Sequence, residues 1–229
     1  MTLASQPARD LLITIDGPAG AGKTTVSRKL AETLGYRYID TGALYRAIAL
    51  AASEKGIDAG DDASLQALCA ELDLEFKVAE HGLRLMLDGR DVTDQIRSPR
   101  ITMLASAISA RPVVRRHLLI IQRNLGASRR AVFEGRDMGT VVFPDADVKF
   151  FLYADPSIRA RRRYEEIVAK GGAAPSLESV EQDMTKRDQD DSTRRSAPLK
   201  PAPDAIRIDS SILEIDGVVA RMLEHIVDC

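Results

Sequence analysis

The sequence predicts an α/β fold in which a central parallel sheet is covered by helices on both faces. Short apolar runs, such as residues 11–15, 131–133 and 148–153, alternate with longer segments of helical spacing. The runs are apolar at successive positions, which is typical of strands buried on both faces. A helix between two such runs is the usual crossover between parallel strands. These observations favour a single large domain over the 229 residues.

Capping residues indicate where the helices begin and end. Gly35 suits the left-handed conformation that follows many helices, and Asp40 with Thr41 resembles the start of the next helix. Pro112 takes a first-turn position. Residues 211–214 match a capping box and are expected to open the terminal helix. The predicted strands are residues 11–15, 36–39, 131–133, 148–153 and 205–208, and the predicted helices include residues 24–34, 40–53, 62–71, 98–110 and 112–126 and segments beginning near Pro156 and Ser176.

A change of period marks a small β insertion. Apolar and charged residues alternate over residues 72–78 and again over residues 83–87, on either side of the turn Glu80-His81-Gly82. This pattern predicts a half-buried two-stranded hairpin. Because the hairpin interrupts an alternation of strands and helices, we interpret it as an insertion. The alternative is that it continues the main sheet.

Composition excludes several classes of protein. The net charge is −2, so no overall basic field attracts nucleic acid or anionic lipid. The chain contains no apolar run long enough to span a membrane, and its first ten residues lack a secretory core. Cys69 and Cys229 lack metal-ligand spacing, and a reducing compartment is expected.

The residues that follow the first strand form a phosphate-binding loop. They match the pattern G-x-x-x-x-G-K-[ST] between a strand and a helix, which is its required context. The glycines allow backbone N–H groups to point inward, and the helix adds its positive end. Lys23 offers a charge for the outer phosphates, and Thr24 is the expected Mg²⁺ ligand. The predicted fold is thus a P-loop three-layer sandwich, with ATP bound by Gly17, Pro18, Ala19, Gly20, Ala21, Gly22, Lys23, Thr24 and Thr25.

Other interpretations of this loop are weaker. A Gly-rich structural turn is disfavoured by the strand before the loop and the helix after it. A dinucleotide loop would have glycine where Thr25 stands and would give the lysine no role. A switch GTPase needs a D-x-x-G motif, which the chain lacks. Residues 185–188 resemble the guanine-reading motif [NT]-K-x-D, but they lie in a polar helical stretch rather than at a strand end.

Three polar clusters are candidates for binding a second substrate. Two of them follow strands, and ligands of open α/β sheets collect at the carboxyl ends of strands. Arginine suits phosphate oxygens, and aspartate can accept a hydrogen bond from an exocyclic amine such as that of cytosine. The clusters are Asp40, Thr41, Gly42 and Arg46; Glu134, Gly135, Arg136 and Asp137; and Arg187, Asp191, Arg194 and Arg195.

Alternatives remain for two groups of charges. Arg136 and Asp137 could form a surface ion pair at a turn. Arg159, Arg161, Arg162 and Arg163 lie on one predicted helix, where they are either a solvated face or an anion-binding group that relieves their mutual repulsion.

These segments together resemble the bacterial cytidylate kinases, the CMP/dCMP kinases of the nucleoside-monophosphate kinase group. The resemblance rests on residues 15–24, 40–46, 135–145 and 187–199 and extends over residues 11–226. The run Gly-Arg-Asp-Met-Gly-Thr-Val-Val-Phe-Pro, which begins at Gly135, is more specific than the P-loop. The resemblance implies one kinase domain, 1–229, with a β-rich insertion of the CMP-binding part at residues 73–98 and a lid with its adjoining helix at residues 156–195.

The resemblance also implies the site residues. Thr41 stands where many members have serine, which keeps the hydroxyl, and Thr24 stands where some have glycine. Both Thr24 and Thr25 are therefore open as metal ligands, and the general motif favours Thr24. The implied catalytic residues are Lys23, Arg136 and Arg187, and the implied CMP contacts are Thr41, Arg46, Ser106, Arg115, Arg136, Asp137, Arg187, Asp191 and Arg194.

The implied reaction transfers the γ-phosphate of ATP to CMP or dCMP, with Mg²⁺, and gives ADP with CDP or dCDP. The alternative is another small-acceptor P-loop kinase, acting on UMP, AMP or a shikimate-like compound. A non-enzymatic ATP-binding module is less favoured, because it would not need the acceptor clusters. We expect a cytoplasmic monomer of pyrimidine metabolism that binds neither nucleic acid polymers nor membranes.

Overall fold

The computed structural model describes residues 10–79, 82–169, 171 and 175–227. Its strands are Leu12–Asp16 (β1), Arg37–Asp40 (β2), Leu74–Ala79 (β3), Gly82–Leu87 (β4), Arg90–Asp91 (β5), Ala131–Gly135 (β6), Val148–Tyr153 (β7) and Ile206–Asp209 (β8). Its α-helices are Lys23–Leu34 (α1), Thr41–Glu54 (α2), Asp62–Glu71 (α3), Pro99–Ser109 (α4), Pro112–Gly126 (α5), Pro156–Ala169 (α6), Leu177–Thr193 (α7) and Ile215–Val227 (α8). A 3₁₀-helix, Gln95–Arg97, and a π-helical turn, Met138–Val142, complete the elements.

The main sheet has five strands in the order β2-β6-β1-β7-β8. β1 pairs in parallel with β6 and β7, and β7 pairs in parallel with β8. Asp16, the last residue of β1, lies opposite Gly135 in β6 and Phe151 in β7. The carboxyl ends of these strands therefore lie at one edge of the sheet. The predicted α/β fold class is confirmed.

Two compact units make up the chain. The first contains Met1–Tyr38 and Ser128–Cys229, and the second contains Ile39–Ala127. In the first unit, the side chains of Ile13, Ile15, Leu30 and Met222 are completely buried in a core formed by β1, α1 and α8. Each such side chain contributes about 1.5–3 kcal/mol through the removal of apolar surface from water.

The second unit has its own core and a small antiparallel sheet. Leu44, Ile48 and Leu65 are among the buried side chains of this core. β3 pairs with β4, and β5 adds a third strand. The predicted hairpin is present, but β5 was not predicted, because two residues are too few to show an alternating pattern. The predicted turn residues Glu80 and His81 lie outside the described residues.

Most predicted helix boundaries agree with the structure. Gly35 has φ 64° and donates its N–H to carbonyl groups of the last turn of α1. Asp40 caps α2 by accepting a hydrogen bond from Ala43 N at 3.1 Å. Among the described residues, no helix is both long and apolar enough to cross a membrane.

The predicted capping box at residues 211–214 is wrong. α8 begins at Ile215, and Ser211 does not cap it. Instead, the hydroxyl of Ser211 accepts a hydrogen bond from Asp155 N at 2.9 Å, and its N–H donates to Asp209 Oδ1 at 2.8 Å. The serine is therefore used in a tertiary contact, which the local pattern does not reveal.

Gly17 is expected to be indispensable for stability. Its φ is 150°, and a Cβ at this position would lie 1.9 Å from the carbonyl oxygen of Leu152 in β7. We expect Gly17→Ala to lower the free energy of unfolding by at least about 3 kcal/mol, because the backbone of β7 would have to move. Urea unfolding followed by circular dichroism measures the change.

Gly56→Ala is the matched control for that substitution. Gly56 also has a positive φ, 67°, but a Cβ there would meet no atom within 4 Å. Its replacement is expected to cost only about 1–2 kcal/mol of backbone strain. Equal losses in the two variants would show that the contact with Leu152 is unimportant.

Candidate functional site

The loop between β1 and α1 has the conformation that a phosphate cradle requires. Gly20 and Gly22 have φ values of 72° and 83°, which glycine adopts without steric cost. Lys23 Nζ donates a hydrogen bond to the carbonyl oxygen of Pro18 at 2.7 Å. The lysine thus folds back over the loop that precedes it.

Two side chains from other elements of the first unit support the same loop. Arg159 Nη1 of α6 donates to the carbonyl oxygen of Ala19 at 3.0 Å, and Ser210 Oγ donates to that of Ala21 at 3.0 Å. These bonds hold the loop from its carbonyl side. Such support suits a nest in which backbone N–H groups bind phosphate oxygens.

The arginine run on α6 does not form a single anion-binding face. Arg159 is buried, Arg162 Nη2 donates to the carbonyl oxygen of Ser210 at 2.7 Å, and Arg163 pairs with Glu166 at 2.8 Å. Protein groups therefore relieve the repulsion among these arginines. A bound anion is not needed to explain this run.

Lys23 lies in a region of concentrated positive charge. Its side chain is almost fully buried, and this burial lowers its pKa, with further lowering by Arg136 and Arg187 and opposing effects of Glu134 and Asp16. Arg136 and Arg187, the other two residues predicted to be catalytic, thus repel the charged form of Lys23. An anionic ligand would relieve this repulsion.

Thr24 and Glu134 are suited to holding Mg²⁺. Thr24 Oγ1 donates to Glu134 Oε1 at 2.9 Å, and Tyr38 OH donates to Glu134 Oε2 at 2.6 Å. Hydroxyl and carboxylate oxygens are hard ligands, and Mg²⁺ in kinases needs only one or two protein ligands beside the phosphates. The described residues include no cluster of three or more His, Cys, Asp or Glu that could hold a metal without the phosphates.

Sequence reasoning did not select Glu134 as a metal ligand. Its position near the end of β6, the strand that pairs with β1, is the sequence signal that suits such a role. Thr25, the other hydroxyl considered for the metal, is exposed, as Thr24 is, but it is the hydroxyl of Thr24 that bonds to Glu134.

Four predicted CMP contacts of the first unit form a chain of alternating charges. Arg136 Nε lies 3.2 Å from Asp191 Oδ2, and Asp191 Oδ1 lies 3.5 Å from Arg194 Nη1. Arg194 Nη2 lies 3.5 Å from Asp137 Oδ1. Arg187 precedes Asp191 by one turn of α7. The fold therefore brings together residues from the end of β6 and from α7 that are far apart in sequence.

Two further predicted contacts begin α2 in the second unit. Thr41 is buried, and Arg46 Nη2 donates to Asp40 Oδ2 at 2.7 Å. Arg46 Nε is buried and has no hydrogen-bond partner in the described part of the chain. Arg97 Nη2 lies 4.0 Å from the same Asp40 oxygen. Sequence reasoning did not select Arg97, which follows no apolar strand.

Ser106 and Arg115 lie on successive helices of the second unit and are linked through Ser109. Ser109 Oγ donates to the carbonyl oxygen of Ser106 at 2.8 Å, and Arg115 Nη1 donates to that of Ser109 at 3.1 Å. The guanidinium carbon of Arg115 also lies 5.6 Å from the ring centroid of Tyr45. These contacts hold Arg115 in a defined, mostly buried position.

Comparisons with known proteins agree with the motifs. A cytidylate kinase family model matches residues 13–228. The cytidylate kinase of Geobacter sulfurreducens is 52% identical over 214 residues, with 93% of this chain and 91% of the relative covered. That of Syntrophotalea carbinolica is 47% identical over 220 residues, with 96% and 93% covered. An uncharacterized protein from Eubacterium ventriosum shares the fold, with a TM-score of 0.53, 13% identity and coverage of 95% and 98%. The resemblance read from the motifs is therefore confirmed, and the chain belongs to the cytidylate kinase family.

Proposed function

We propose that the chain transfers the γ-phosphate of ATP to CMP or dCMP and releases ADP with CDP or dCDP. The observation that carries the proposal is that Arg136 and Arg187 of the acceptor clusters act electrostatically on Lys23, which lies in the phosphate-binding loop, and lower its pKa. One region of the first unit can thus neutralise phosphates of both substrates. Membership of the family supports a cytidine nucleotide as the acceptor, since the curated relatives are named cytidylate kinases.

ATP binds through its phosphates to the loop 17–25 in this proposal. Backbone N–H groups and Lys23 contact the phosphates, and the N-terminus of α1 adds its positive potential. Thr24 and Glu134 would hold Mg²⁺, which supplies charge neutralisation at the outer phosphates when bound.

In this proposal CMP is assigned contacts with residues of the three polar clusters and with Ser106 and Arg115. The phosphate is assigned to Arg46, Arg136 and Arg187, whose forks match its oxygens. Base and sugar contacts are assigned to Thr41, Ser106, Arg115, Asp137, Asp191 and Arg194. The attacking phosphate oxygen is already anionic near neutral pH, so catalysis needs positioning and charge neutralisation rather than a strong general base.

Two features of organisation belong to the same proposal. Residues 73–98 serve as an insertion of the CMP-binding part, and residues 156–195 serve as a lid and its adjoining helix, the lid limiting water near the transferred phosphate. We further propose that the protein acts as a cytoplasmic monomer in pyrimidine metabolism.

An acceptor panel tests the proposed reaction. The purified protein is incubated with Mg-ATP and, separately, CMP, dCMP, UMP, AMP or shikimate, and products are separated by anion-exchange chromatography. We expect CDP and dCDP to form fastest and both to disappear when Mg²⁺ is chelated. Faster phosphorylation of AMP or shikimate, or release of free phosphate without CDP, would exclude the proposed function.

A further inference from the structure

Asp16 joins the end of β1 to the start of the π-helical turn. The residue is only 3% exposed. Its Oδ1 accepts a hydrogen bond from Met138 N at 2.8 Å, and its Oδ2 accepts one from Gly139 N at 2.8 Å. Both N–H groups belong to the first residues of the turn, where backbone donors have no partner within a helix. A strand residue located 122 positions earlier therefore caps this turn.

Asp137 occupies the position from which a local cap would come. Aspartate is a favoured capping residue, yet the side chain of Asp137 makes no capping bond to the turn. Its carboxylate instead lies 3.5 Å from Arg194 in the charge cluster. Because Asp16 supplies the capping oxygens, the Asp137 carboxylate can face the acceptor cluster.

The charge of Asp16 is maintained despite its burial. The pKa of Asp16 is raised to about 6: burial raises it most and the Asp137 carboxylate adds to this, whereas the two backbone donors and Lys23 lower it. The group is thus largely ionised above neutral pH. A buried carboxylate is costly for folding, so stability alone does not explain its presence.

We propose that Asp16 is a positioning residue for the phosphate acceptor, which fixes the segment Arg136–Asp137 beside the P-loop through its two bonds to backbone N–H groups. This inference rests on the proposed function. It goes beyond the predicted site residues, because Asp16 is assigned no substrate contact and acts through its bonds to backbone N–H groups. The phosphate-binding loop and the acceptor segment Arg136–Asp137 are then both supported by the carboxylate of Asp16.

Asp16→Asn tests this role. The amide keeps the size of the side chain but replaces one acceptor oxygen with an NH₂ group that cannot accept from a backbone N–H. We expect the KM for CMP to rise by about 10- to 100-fold and the KM for ATP to change by less than about threefold. Steady-state kinetics with each substrate varied separates the two effects.

Asp147→Asn is the matched control. Asp147 Oδ2 also accepts from a backbone N–H, that of Leu12 at 2.6 Å, but at the opposite end of β1. This variant is expected to leave both KM values unchanged. An Asp16→Asn enzyme with an unchanged KM for CMP, or with equal increases for CMP and ATP, overturns the positioning role. A wild-type protein that does not phosphorylate CMP overturns the proposed function instead.

If Asp16→Asn does not fold, a measurement on the wild-type protein tests whether Asp16 positions the segment Arg136–Asp137. Backbone amide NMR signals are followed through a pH titration without nucleotide. The signals of Met138 and Gly139 are expected to shift with a common midpoint near pH 6, and those of Arg136 and Asp137 with the same midpoint. Signals of Arg136 and Asp137 that do not follow this midpoint would show that Asp16 does not control their segment.

Discussion

Replacing Lys23 with alanine is expected to lower kcat for CDP formation by about 10²- to 10³-fold while the protein remains folded. Lys23 is the buried charge of the phosphate-binding loop, and burial and nearby arginines already lower its pKa. Its loss removes a positive group from the transferring phosphates, but it also removes a repulsive charge from the interior. Initial rates and urea unfolding, measured on the same preparation, separate activity from stability.

Lys29→Ala is the control for this substitution. Lys29 lies on the same helix with its side chain 45% exposed, in an ion pair with the exposed Asp216. Exposed pairs contribute little, so both rate and stability are expected to stay close to those of the wild type. Near-normal CDP formation by Lys23→Ala would refute the role assigned to the loop lysine.

Replacing Asp137 with alanine is expected to raise the KM for CMP by about 10- to 100-fold and to leave the KM for ATP nearly unchanged. Asp137 is 2% exposed, and its carboxylate faces Arg194 in the acceptor cluster. Its loss removes an acceptor for the cytosine amine and leaves Arg194 less compensated. Kinetics with each substrate varied, together with thermal unfolding, distinguish this loss from general destabilisation.

Asp145→Ala provides the comparison for Asp137. Asp145 belongs to the same sequence run but is exposed. We expect it to leave both KM values unchanged. Equal increases in the KM for CMP and for ATP in Asp137→Ala would contradict a role in base recognition.

The fold was predictable because its signals are local. The apolar runs that became β1, β6 and β7 are buried along almost their whole length, so few polar positions interrupt them. The phosphate-binding loop was predictable for a similar reason, since Gly17–Lys23 must satisfy backbone geometry within a few residues. Helix caps such as Asp40 also act within one turn.

Features that depend on distant partners could not be predicted. Ser211 matched a local cap but bonds to Asp155, and Asp16 was not selected, because its partners are backbone groups of another segment. The π-helical turn Met138–Val142 lacks a recognisable apolar period. The contact between Tyr38 and Glu134 likewise depends on how separate strands are placed in the sheet.

The central claim is that Lys23 and Arg136 belong to one site that binds ATP and CMP at the same time. A bisubstrate analogue tests this claim most directly. Adenosine and cytidine joined through five phosphates combine both ligands in one molecule, and isothermal titration calorimetry measures its Kd. We expect it to bind at least about 10²-fold more tightly than ATP, and Lys23→Ala and Arg136→Ala each to weaken it at least about tenfold. Binding no tighter than that of ATP, or unaffected by Arg136→Ala, would show that the two residues do not serve a common site.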